Sequence, residues 1–524
     1  MSAQQGRVGS RTRHAGLLAL VGVLAGVLAG SLVGCISAQP RLSDDPLTDL
    51  RNPSLRLADR VEAVGRVWEQ VQAGVLDRVE ARRTLDAFVW SRKTPERLRL
   101  ASLQTILGDE SEKGRDDARR LVRLLLPREP SMTILSVLCA TAATNNWTET
   151  TPALVRSLSR VFPQVPDERR PERLALQAMH GGTAIERIVF DVFLSPVAGD
   201  TDLERRLAKR TRGDAWGLLW RLDRAEAIRT ALVGDDLPEP PDEEGRRILA
   251  DLRASASALH LIPRNGAELD WLGSLRDEEN PANAVWWSES AAAIAGLSEA
   301  KRLGLSLRHV EPIRWVSRFH PEWLEMSRGS LLGELERRLA SRKHHERSGA
   351  AIRSTSTNGE RLGRWSKDLR WGDLLSILVI DEAIRDPQVV AELFRQAGFD
   401  RADNTTEYGG VLESLSTVGS SSEGDAQRFR VVLYAPRPSE RPGDNQFVAS
   451  RDMIRHSDRA LAHYHFHAQR RRNSDYAGPS DRDYQYADRY ARACVVLTSI
   501  RENVLGADYY QPGGATIDLG EIRR

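Results

Sequence analysis

The spacing of apolar residues changes once along this chain, and the change divides it into two kinds of structure. From about Leu55 to Gly182, apolar residues recur every three or four positions, as they do in helices that bury one face. Pro95-Glu96-Arg97-Leu98 returns as Pro171-Glu172-Arg173-Leu174, each ahead of an apolar helix, and Pro130 precedes a third from Ile134 to Ala143. These starts lie roughly forty residues apart, the step of a helix-pair repeat such as HEAT; a plain helical bundle would give the same local pattern. Residues 183–345 also read as mainly helical, with Trp216, Trp220, Trp271, Trp286, Trp287 and Trp315 as core pieces rather than a cofactor box. A polar stretch follows, with a linker at 346–368. The adjacent His344 and His345 before it would face different sides of any regular element and make a poor metal site.

Beyond the linker a helix is expected from about Trp371 to Ala397, with an acidic break at Asp381-Glu382. Short strand-like runs then appear at Gly410–Leu415, Phe429–Ala435, Ala460–His467, Cys494–Ile500 and Thr516–Leu519, with a helix at about Ser480–Ala493 among them. Strands with interspersed helices predict a compact α/β domain over 369–524. The fold class is therefore multidomain: an α-helical region in two parts (55–182 and 183–345), then a C-terminal α/β domain.

At 524 residues the chain exceeds one ordinary core, which agrees with two to four domains. Apolar content of 41% and charged content of 28% are those of a globular protein. A formal net charge of +2 provides no global field for nucleic acid or acidic lipid. The N-terminus is different. Arg7, Arg11 and Arg13 precede an apolar run from Leu17 to Val33, which ends in small residues rather than a basic flank. Leu32-Val33-Gly34-Cys35 resembles a bacterial lipobox. That resemblance implies a signal peptide over 1–34, lipidation of Cys35, a tether over 35–54 and an exported lipoprotein held at a membrane of the cell envelope. Only Cys139 and Cys494 remain, each in an apolar stretch, and both read as small core residues.

Chemistry concentrates in the α/β domain. In His463-Tyr464-His465-Phe466-His467, a strand places all three histidines on one face and the aromatics on the other. Neighbouring imidazoles on that face stand roughly 6–7 Å apart at their Cα atoms and can converge on one cation. A polar strand face with incidental histidines is the plainer reading. Gly478-Pro479-Ser480-Asp481-Arg482-Asp483 has Ser at an N-cap and an acid at N3, a capping box; the same rigid turn could present Asp483 as an oxygen ligand and the Ser480 hydroxyl to an oxyanion. Glu407-Tyr408-Gly409-Gly410-Val411-Leu412 leads into the first strand. It offers a carboxylate as general base and two glycines that let backbone pass close by.

Together and in this order, these elements resemble the JAMM/MPN+ metalloprotease family: a Glu leading into a Gly-x-Leu strand, His-x-His ending a later strand, then Ser-x-x-Asp opening a helix. The likeness covers about 400–520. It implies a Zn2+ held by His465, His467 and Asp483 with water as fourth ligand, Glu407 as general base, and Ser480 steadying the tetrahedral intermediate. His463 with His465 would also make a His-x-His pair, so His463 stands as an alternative ligand. Two departures occur: Ala468 where the family usually has Pro, and a longer loop from His467 to Ser480 carrying Arg470-Arg471-Arg472 and Tyr476. That arginine run is either a solvated loop or a seat for a substrate carboxylate. The expected activity is hydrolysis of a peptide or isopeptide amide in an envelope substrate. The competing expectation is a non-catalytic scaffold lipoprotein whose helical region binds a protein partner and whose MPN fold is degenerate.

Overall fold

The computed structural model describes residues 42–196, 201–223, 227–234, 240, 242–277, 279–345, 359–415, 428–443 and 446–524. The signal-peptide, lipobox and Cys35 lipidation readings fall outside them, as does most of the expected linker. Among the described residues no helix is long and apolar enough to cross a membrane.

The chain divides into two compact units, with the boundary along the sequence between Thr105 and Ile106. In the first, helices Pro46–Arg51, Leu57–Gln72 and Arg78–Trp90 bury Leu50, Val67 and Leu85, with the start of helix Glu96–Leu107 completing the unit. Each buried set recurs at helical spacing, as the sequence pattern required.

The second unit is helical as far as Ala340 and ends in a sheet. Helix Met132–Thr144 is capped by Ser131, whose side chain accepts from Ile134 N–H, and helix Pro171–Met179 has its proline at the first position, where no N–H is needed. Trp216, Trp271, Trp286 and Trp315 are buried, and Trp220 and Trp287 are half-buried. Cys139 and Cys494 are buried as free thiols. The helical part docks onto the sheet through aromatic anchors. Trp271 Nε1–H donates to the Asp458 carbonyl at 2.7 Å, and the Arg492 guanidinium lies 3.3 Å from the Trp271 ring centre. Helix Leu307–Phe319 packs on helix Trp371–Ala383 and on the sheet, with Arg308 and His309 both reaching Asp373, at 2.8 and 3.0 Å.

Six strands form one mixed sheet: β1 Gly409–Ser414, β2 Phe429–Leu433, β3 Ala460–His467, β4 Cys494–Arg501, β5 Val504–Tyr510 and β6 Thr516–Arg523. Their order is β2-β1-β3-β4-β5-β6, antiparallel throughout except for β3 and β4, which run parallel. A parallel pair needs a crossover, and helix Asp481–Tyr490 supplies it. That helix packs Tyr486 and Ala487 against Val411, Cys494 and Val496. The opposite face lies under helix Pro387–Ala402, where the Tyr464 hydroxyl donates to Gln396 Oε1. The histidines of β3 thus face the crossover helix, and Tyr464 faces away.

Three details differ from expectation. The single helix expected at Trp371–Ala397 is two helices, and the break falls at 384–386 rather than at Asp381-Glu382. Pro387 cannot continue a helix, while the Asp386 carboxylate caps the next one by accepting from Gln388 and Val389 N–H. Asp381 stays helical because Arg342 and Arg385 pair with it. The crossover helix stops at Tyr490, where Ala491 turns left-handed with φ 55°. Strand β5 was missed altogether. It is buried along its whole length, so it shows no alternation, and Gly506 and Asp508 interrupt its apolar run.

The two glycines before Val411 are required by close packing. A Cβ on Gly410 would stand 2.0 Å from the Val432 carbonyl, and one on Gly409 would stand 2.5 Å from the Tyr464 carbonyl. Both obstacles are backbone and cannot rotate away. Gly410→Ala is expected to cost about 1–3 kcal/mol by overpacking, read as a lower urea midpoint by tryptophan fluorescence.

Candidate metal centre

Three separate segments carry the site to one point. Glu407 lies just before β1, His465 and His467 end β3, and Asp483 sits in the first turn of the crossover helix. The pairing of Gly409 with His465 sets Glu407 beside His467, because β1 and β3 run antiparallel. Ligand atoms of Glu407, His465 and His467 all lie within 4.8 Å of one another. Asp483 reaches both imidazoles: Oδ1 is 3.3 Å from His465 Nε2 and Oδ2 is 3.8 Å from His467 Nε2. Donors around a tetrahedral cation with bonds near 2 Å stand about 3.3 Å apart, so these separations suit a shared ion.

The residue types and their protonation fit the same purpose. His465 Nε2 is buried and faces Asp483 Oδ1 at 3.3 Å, while its Nδ1 lies 3.4 Å from Tyr510 Oη. A carboxylate and an imidazole nitrogen held this close and buried are placed to share a cation as well as a proton. His467 Nδ1–H donates to the Tyr476 carbonyl at 2.9 Å, which leaves the lone pair on Nε2, turned toward Asp483. A backbone carbonyl on the far nitrogen is the usual way to orient a ligating imidazole. Phe447 stacks on the His465 ring at 4.9 Å and 15°, which fixes its plane. Two imidazoles and two carboxylates form a donor set suited to zinc.

Electrostatics bind the set together even without an ion. Burial pulls the His465 imidazole down, but the Asp483 carboxylate outweighs it and the net shift is upward. Burial pushes Asp483 up, yet His465 and His467 hold it well below the ordinary carboxylate range. The Ser480 N–H donates to Asp483 Oδ2 at 2.6 Å, and Ser480 Oγ accepts from Asp483 N–H at 3.4 Å. The capping box and the ligand platform are therefore the same structure. His467 at 8% and Glu407 at 6% are more exposed than His465 at 1% and Asp483 at 3%, so the cluster opens toward solvent on the Glu407–His467 side.

His463 stands apart from this group. Its Nδ1 lies 2.7 Å from Tyr486 Oη beneath the crossover helix, and burial holds the ring well below its usual pKa and hence neutral. Of the two His-x-His pairs open in the sequence, His465 with His467 is the one that meets Glu407.

Sequence reasoning missed the residues that hold these side chains in place. The buried Asp400 carboxylate accepts from Tyr408 N–H at 2.7 Å and from Ala468 N–H at 3.1 Å. Those are the residues immediately after Glu407 and His467. A proline at position 468 would have no N–H to give to Asp400. Gln469 Nε2–H donates to Glu407 Oε1 at 3.3 Å, and Asn473 Nδ2–H donates to both Gln469 Oε1 and the His467 carbonyl. Nothing local marks Asp400, which sits on a helix well before Ala468 and acts only through the tertiary fold. No family model matches the chain, and no curated protein or solved structure matches it either.

Asp400→Asn would set an amide NH2 against one of two backbone donors. If the cluster holds a metal, this should lower its affinity about 10- to 100-fold, the effect common for groups that orient ligands, as measured by competition with a chelator.

Proposed function

We propose that this chain is a membrane-tethered zinc-dependent hydrolase of the JAMM/MPN+ type that cleaves a peptide or isopeptide amide. The convergence of Glu407, His465 and His467 within 4.8 Å from two separate segments, with Asp483 bridging both imidazoles, carries the reading. His465, His467 and Asp483 would hold the ion. Zinc in that position supplies a Lewis acid that polarises the scissile carbonyl and brings the pKa of water toward neutrality.

The chain's own groups do the rest. Glu407 takes the proton of the attacking water on its carboxylate and delivers it to the leaving amine nitrogen. Gln469, donating to Glu407 Oε1, fixes which oxygen faces the substrate. The Ser480 hydroxyl accepts from Asp483 N–H, so its own proton is available to the oxyanion that develops on the substrate carbonyl. The loop between His467 and Ser480 borders the exposed side of the site and selects substrate. In this reading Cys35 carries the lipid, and substrates come from the envelope. The repeat-like helical region would bind a protein partner.

Metal content decides between this and the scaffold reading. For the full chain purified in detergent, elemental mass spectrometry should find about one zinc per chain, lost in a folded His465→Ala/His467→Ala variant. Absence of zinc after reconstitution would favour the scaffold. Glu407→Gln should keep its zinc and lose about 10²- to 10⁴-fold in turnover of a cleaved amide.

A further inference from the structure

Beyond His467 the sheet ends in a cleft of about 340 Å³, on the side of helix Pro387–Ala402. Arg395, Arg401, Arg471, Arg501 and Arg524 line it together with Glu502, with Phe394 and Leu505 as apolar wall. Five guanidinium groups, from the Pro387–Ala402 helix, the His467–Ser480 loop, β4 and Arg524, share one small space with the single carboxylate of Glu502. Neutralisation is incomplete. Arg395 pairs with Glu392, and Arg471 pairs with Glu502 at 2.9 Å. Arg501 lies 3.4 Å from Glu521, but that carboxylate also serves His345 and Arg523 at 2.7 Å each. Arg401 donates to the Ser499 hydroxyl at 3.0 Å and has no carboxylate within ion-pair distance among the described residues. A neutral hydroxyl orients that guanidinium and leaves its charge uncompensated.

The cleft is also wired to the metal centre. Ser499 lines it, and the Ser499 carbonyl accepts from Asn473 N–H at 2.7 Å. Asn473 in turn holds Gln469 and the His467 carbonyl. Arg471, two residues past Gln469, reaches the cleft from the same loop. One loop therefore borders both places.

We propose that the arginine cleft is an exosite for an acidic segment of the polypeptide substrate, whose carboxylate seats between Arg401 and Arg471. Guanidinium groups bind carboxylates in bidentate fashion, and the volume suits one or two acidic side chains against Phe394 and Leu505. Its assignment to a substrate rests on the amide-hydrolase reading; the binding itself can be measured without turnover.

The test is fluorescence polarisation of the full chain in detergent with labelled hexaglutamate, and with hexaglutamine as control. The expected result is saturable hexaglutamate binding that weakens as salt rises and at least 10-fold weaker binding in Arg401→Glu/Arg471→Glu. His465→Ala/His467→Ala should bind hexaglutamate as the wild type does, which separates this site from failure of the metal centre. Equal binding of the two peptides would overturn the proposal. So would charge reversal that leaves affinity within twofold in a variant with unchanged circular dichroism and zinc content. Binding of inorganic phosphate at this cleft without hexaglutamate binding would also overturn it, in favour of a phosphate site.

Discussion

A single buried carboxylate ties together the two backbone segments on which the site depends. Asp400 accepts one N–H from the residue after Glu407 and another from the residue after His467. β1 and β3 pair through their own ladder, but the ladder ends at the residues that matter, and ladder ends fray. A carboxylate bridging both segments holds the ends of the ladder at fixed separation, and hydrogen bonds to a charge are the stronger kind. Helix Pro387–Ala402 is thus more than a cover for the sheet, since it sets the distance between Glu407 and His467.

The remaining ligand is fixed by a different device. Asp483 sits at N3 of the crossover helix, where the Ser480 N–H and the helix N-terminus favour a negative charge. Its two oxygens address two imidazoles, and the mutual attraction moves His465 up and Asp483 down. In the absence of an ion the group is a buried network of opposite charges, which stays assembled because each member compensates another. A cation therefore meets donors that are already placed.

Much of this was legible in the sequence, for identifiable reasons. Strand β3 was bounded correctly because its histidines and aromatics alternate, and a capping box marks the start of the crossover helix at Ser480. The histidine face and the capped turn could be read because strand period and helix-turn spacing are local properties, while their union with Glu407 into one set came only from the resemblance to the JAMM/MPN+ pattern. Asp400, Gln469 and Asn473 were not legible, since their roles are contacts made by folding and no spacing encodes them. β5 escaped because burial on both faces erases the period that reveals a strand. The choice between His463 and His467 also needed the third dimension: identical periodicity puts both on one face, and only the position of Glu407 and Tyr486 separates them.

The loop between His467 and Ser480 holds His467 through main-chain atoms. The Tyr476 carbonyl accepts from the imidazole, and the loop is pinned to β4 by the backbone N–H of Asn473, while the Tyr476 side chain is 58% exposed. Side chains at 470–472 and 476 can therefore be exchanged without altering the tautomer or aim of the ligand, provided Gln469 and Asn473 stay. The segment separates what it shows to solvent from what it holds: its outward side chains are free to vary while its backbone keeps His467 in place.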